Sequence, residues 1–202
     1  MDFLQKVKTD LEDPLKTFKW FERSIALTCI AIPAVLRLTD KDRTGNPAIS
    51  FRKSISQYVY MTHSYVFGLL LMMAAMMFIF NGAVYFKGQE KRQLLLSKTG
   101  KWYNIALGLS LIGVVVFPCE QYEVTHTAFA ILFFVGNAVV TGVFYQKRNK
   151  AFSIVLAILT LATLVPVYFH VFTLFWGEWL SLAVIGVHFI LEARGQVGSR
   201  SN

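Results

Sequence analysis

Residues 58–86 read YVYMTHSYVFGLLLMMAAMMFIFNGAVYF, a run of twenty-nine residues without an Asp, Glu, Lys or Arg. A helix rises about 1.5 Å per residue, so the run exceeds the ~20 residues that cross a bilayer core. Backbone in hydrocarbon must satisfy its own hydrogen bonds, which makes so long an apolar run a helix. Its surplus length predicts tilt, or projection beyond the bilayer. Apolar runs recur on either side, at 24–38 (broken by Pro33), 102–117 (closed by Pro118), 125–145, 152–172 and 175–193. The pattern predicts an all-α polytopic membrane protein, a bundle of six transmembrane helices over 24–193.

Composition supports this reading. Of 202 residues, 55% are hydrophobic and 16% charged, against about a quarter charged in average globular chains. This excludes a soluble enzyme, a disordered chain and a disulfide scaffold, and leaves no room for a large extramembrane domain. The two cysteines, Cys29 and Cys119, fall at different depths and read as small packing residues. Residues 1–23 alternate apolar and charged positions at helical spacing. They predict a cytoplasmic amphipathic helix in the interface, bent near Pro14, its acidic residues arguing against a signal peptide. Residues 194–202 follow as a tail.

The net charge of +8 is unevenly placed. Fifteen of the twenty basic residues lie in the N-terminal stretch, the 87–101 loop, the 147–150 loop and the tail. By the positive-inside rule these are cytoplasmic, so both termini face the cytoplasm of a cell (inner) membrane protein. The other five, Arg37, Lys41, Arg43, Arg52 and Lys53, share one outer loop with Asp40 and Asp42. Lys87, Lys91, Arg92, Lys98, Lys101, Lys147, Arg148 and Lys150 form a cytoplasmic basic patch. It suits anionic lipid, a cytoplasmic protein or a ribonucleoprotein.

Polar residues at membrane depth are expensive and need a reason. His63, Glu120, Glu123, His126, His170 and Glu178 all fall at the predicted outer helix ends. Inward stripes continue from them: His126, Asn137 and Thr141 on the fourth span, Glu178, Ser181, His188 and Glu192 on the sixth, and His63 with Asn81 on the second. Together they predict a polar core running inward from an outer pocket. One reading makes His63, His126 and His170 ligands of a zinc ion, with Glu178 and His126 moving protons. The spacing does not favour this, because no two of the histidines have the close spacing of a helical zinc motif. The other readings are a polar pocket for a lipid or ligand, and interfacial side chains partnered by water, headgroups and neighbouring helices. Met72, Met73, Met76 and Met77 read as packing, as do the small residues Gly108, Gly113, Ala138 and Gly142. Phosphate-binding glycine loops, nucleophile elbows and dinucleotide fingerprints are missing from the sequence.

Three stretches, Ser54–Gly82, Phe117–Phe134 and Phe175–Ile190, carry a resemblance. A Ser-Ile-Ser segment precedes the second span, Phe-Pro ends the third, a His opens the fourth and a Glu stands near the start of the last. The chain thereby resembles the bacterial six-span proteins of domain-of-unknown-function family 998. The matching positions are Ser54, Ser56, Phe117, Pro118, His126 and Glu178. Where relatives carry a His followed by Arg-Asp, this chain has Tyr60, Ser64 and Tyr65. The resemblance implies a fold and topology, and no particular reaction.

Two functional readings stay open. The first is a non-catalytic accessory, regulatory or pore-forming subunit, with a bacterial RNA-guided antiviral defence system as one setting by analogy of size and charge. A homo-oligomer is compatible with it. The second is a metal-dependent lipid hydrolase with an outer-facing His/Glu site. No cofactor is predicted, and zinc enters only with the second reading.

Overall fold

The computed structural model describes residues 14–41, 45–89, 102–144 and 150–197. Six helices carry the fold: α1 (Pro14–Thr39), α2 (Ser64–Gln89), α3 (Trp102–Val116), α4 (Glu123–Val139), α5 (Lys150–Ala162) and α6 (Leu174–Ala193). The described residues contain no strand, only an isolated bridge between Lys41 and Pro47. Each helix packs on its neighbours in the chain, and α6 closes the ring onto α1. At the centre, Phe78 of α2 meets Phe133 of α4 edge-on at 5.6 Å and Phe189 of α6 at 5.4 Å.

Close crossings depend on missing side chains. A Cβ on Gly108 would lie 2.6 Å from the Ala75 carbonyl oxygen, so α2 and α3 meet backbone against side-chain void. Gly186 does the same for α6 against α1, where a Cβ would stand 3.1 Å from the Ala26 carbonyl.

Several element boundaries differ from the sequence expectation, each for a local reason. The expected interfacial segment and the first span are continuous from Pro14 onward, as one 26-residue helix. Residues 1–13 of that segment, and with them the expected bend near Pro14, lie outside the described residues. The second span does not begin at Tyr58. A 3₁₀ turn at Ser56–Tyr60 is followed by extended backbone at Met61, and α2 starts at Ser64. The fourth span passes into a π-helical turn, Val140–Phe144. The fifth stops at Ala162 and resumes for one turn at Val165–Tyr168. Pro166 cannot donate to the carbonyl four residues back and clashes with it. The disturbed turn leaves the Thr160 carbonyl to the hydroxyls of Thr163 and Ser181, both at 2.9 Å. Met73 and Met76 face outward and do not enter the core; Met77 packs against it.

The described part of the link from α1 to α2 forms a cap. Asp40, 1% exposed, receives Arg52 Nε at 2.9 Å and Nη2 at 2.8 Å, a two-point ion pair. Arg37 donates to the Ala48 carbonyl at 2.7 Å and lies over the Phe51 ring. Phe51 in turn packs on Phe175 and Trp176 at the start of α6. Two of the basic residues that strained the orientation argument are thus held within the protein.

Candidate functional site

The cap delivers Ser54–Gln57 to the mouth of the ring, where it meets the start of α4 and the start of α6. α3 ends at Val116, and the Gln121 N–H that would pair with the Phe117 carbonyl in a continuing helix donates to the Pro118 carbonyl instead. His126, 6% exposed and one turn into α4, places Nδ1 2.8 Å from the Phe117 carbonyl oxygen. Its Nε2 lies 2.9 Å from Ser56 Oγ. A carbonyl only accepts, so Nδ1 carries the proton in the neutral ring, and the Ser56 hydroxyl donates to the bare Nε2. Glu178, also 6% exposed, accepts the Ile55 N–H at 2.7 Å, and Phe175 N–H donates to the Lys53 carbonyl at 2.7 Å. The backbone on both sides of Ser54 is therefore tied to α6.

Beside these residues lies an open groove of about 610 Å³. Ser54, Ser56, Gln57, His126 and Glu178 form its inner polar end, with Glu120 and Glu123 exposed at the rim. Ala130, Ile131, Phe134, Val135, Leu164 and Leu174 form its apolar sides, between α4 and the α5–α6 link. Ser56, Ala130, Phe134 and Glu178 also border a much smaller, mostly apolar cavity of about 60 Å³ among Cys29, Leu71, Phe78 and Leu182. Cys119 also borders the groove as a free thiol, and burial pushes its pKa up, which keeps it protonated.

His63, His126 and His170 do not stand together as one metal-binding set. Both ring nitrogens of His126 are engaged by Phe117 and Ser56. His63 precedes α2, half-buried, with its ring edge on Tyr65. His170 is exposed in the α5–α6 link, at φ 56°. Among the described residues no three His, Cys, Asp or Glu side chains stand together so as to hold a metal ion. Of the inward stripes, Asn81, His126, Asn137, Thr141, Glu178, Ser181 and His188 are buried, and His63 and Glu192 are half-buried. Asn137 donates to the Phe133 carbonyl at 2.7 Å, Ser181 to Thr160, and Asn104 to Asn81. His188 is buried edge-on to Phe189. Of the basic patch, Lys91, Arg92, Lys98, Lys101, Lys147 and Arg148 lie outside the described residues. Lys87 is described only as part of α2, and Lys150 is exposed at the start of α5.

Sequence reasoning singled out His126 and Glu178 but missed Gln57, the Phe117 carbonyl and the Asp40–Arg52 pair. An acidic residue shortly before a basic one in a loop with Gly45 and Pro47 was the available signal for a cap.

Residues 31–193 match the model of a Family of unknown function (DUF7103). The chain belongs to that family. The match overturns the resemblance to family 998, whose short Ser-Ile-Ser and Phe-Pro segments occur here within a different family. No curated protein and no solved structure matches the chain.

Proposed function

We propose that this is a polytopic membrane protein that takes an amphiphile from the bilayer into the lateral groove. The observation that carries this reading is the groove itself: buried polar groups at its inner end, apolar sides between α4 and the α5–α6 link. A headgroup is met by Ser54, Gln57 and Glu178 while its chain lies along Ile131, Val135 and Leu164.

The membrane setting is supported by length and by the direction of the apolar surface. Four helical stretches, of 20, 21, 19 and 20 residues, are long and apolar enough to cross a bilayer. Only 22% of the stretch Lys150–Tyr168 is buried inside the protein, leaving Phe152, Val155, Ile158 and Leu159 turned outward. Such a surface is unfavourable in water and ordinary in lipid. In this reading all six helices cross, because α1 and α3 are each packed between two of the helices of those four stretches. Exposed aromatics stand at both ends, Tyr122, Tyr168 and Phe169 at one, Trp20 and Trp102 at the other. The basic residues support an orientation with both termini in the cytoplasm. An accessory or regulatory role would use the same groove as its ligand-sensing element.

Native mass spectrometry of the detergent-purified protein tests the reading. Wild type is expected to retain one amphiphile through mild activation, and Val135→Trp, which fills the groove, to lose it. Equal retention by both proteins, or none by wild type, overturns it.

A further inference from the structure

We infer that Ser56 and His126 form a nucleophile–base pair that cleaves an ester bond of the amphiphile held in the groove. The inference rests on the amphiphile-binding reading and adds a reaction to it. Its ground is the polarity of the hydrogen bonds. The Phe117 carbonyl takes the Nδ1 proton at 2.8 Å and so turns the Nε2 lone pair toward Ser56 Oγ, 2.9 Å away. A hydroxyl donating to a fixed imidazole lone pair is the arrangement that activates serine, with a carbonyl here orienting the ring. A purely structural clamp has no need for both groups to border an open cavity, and both border the groove.

A donor for the developing oxyanion is also present. The Lys53 N–H donates to Gln57 at 3.0 Å, which makes the bonded atom Oε1 and leaves the Gln57 NH₂ as a donor. Gln57 borders the groove beside Ser56. Among the described residues the groove lining has the exposed carboxylates Glu120 and Glu123 at its rim and no Lys or Arg, which disfavours an anionic headgroup. The substrate class is therefore an ester with an uncharged or cationic headgroup. Glu178, bonded to the Ile55 N–H, acts as a positioning residue for the backbone before Ser56.

In the reaction, Ser56 Oγ bonds to the ester carbonyl carbon as its proton passes to His126 Nε2. The carbon–oxygen bond to the alcohol breaks, and the alcohol leaves with that proton. Water then attacks the acyl-serine and gives a proton to His126, which returns it to Ser56 Oγ as the carboxylic acid departs. The sum is ester plus water to acid plus alcohol.

The test uses the full chain in micelles with an uncharged long-chain alkyl fluorophosphonate ester, which bonds phosphorus to an activated serine and expels fluoride. Wild type is expected to gain one adduct, mapped to Ser56. Ser56→Ala should gain none there, and His126→Gln should react about 100-fold more slowly. Native mass spectrometry of the same samples reports whether the groove still holds its amphiphile. Wild type that retains amphiphile yet forms no Ser56 adduct overturns the inference and leaves the binding reading standing. Loss of retention as well overturns both. An adduct forming equally fast in a His126→Gln protein that retains amphiphile also overturns the pairing.

Discussion

At the residue scale, buried polar groups tie the cap to the ring, and they are unequal in weight. The Asp40–Arg52 pair is two-pronged, with Asp40 fully buried and Arg52 half-buried. Removing one partner of a buried pair leaves an uncompensated charge, so Asp40→Ala should lose about 3 kcal/mol of stability, read as a lower unfolding temperature in detergent. Replacing both, as Asp40→Ala with Arg52→Met, should recover most of that loss. Glu178→Gln keeps an acceptor for the Ile55 N–H, whereas Glu178→Ala orphans a buried donor, at a cost of about 1–3 kcal/mol. A thermal-unfolding comparison of the two variants should therefore separate them, with the Gln variant near wild type. His126 and Glu178 stood out in the sequence because a polar side chain near an apolar run demands a reason. Their partners did not, since a carbonyl such as that of Phe117 and an N–H such as that of Ile55 carry no sequence label. His63, His126 and His170 illustrate the same point: a shared helix end is readable from spacing, and a shared place is not.

At the element scale, helix type was legible wherever an apolar run exceeded a dozen residues, and boundaries were not wherever proline or the cap intervened. Pro118 follows the end of α3, and Pro166 interrupts the fifth apolar run. Hydropathy treats the stretch 152–172 as uniform, yet Pro166 and the Thr160 carbonyl bend it where α6 packs against it through Ser181. The crossings make a direct prediction. Gly108→Leu must force α3 away from the Ala75 carbonyl, and overpacking of this kind costs about 1–3 kcal/mol, measured by thermal unfolding. Gly68 has nothing within reach of an added Cβ, so Gly68→Ala should be neutral or slightly stabilising in the same assay.

At the scale of the whole molecule, the ring of helices turns apolar side chains outward on every helix, and Ser56, His126 and Glu178 stand at one mouth. The proposed orientation puts that mouth outside the cell. In a Cys119→Ala background, a membrane-impermeant maleimide should label Ile49→Cys in intact cells and leave Lys150→Cys unlabelled until the membrane is opened. The reverse pattern contradicts the orientation. The central claim, that an amphiphile enters between α4 and the α5–α6 link, is tested most directly by photo-crosslinking in nanodiscs with an alkyl-diazirine amphiphile, mapped by peptide mass spectrometry. The account predicts crosslinks concentrated on Ile131, Val135, Leu164 and Leu174 and abolished there when Ala130→Trp occupies the groove. Crosslinks spread evenly over the outward faces of all six helices, unchanged by that substitution, would contradict it.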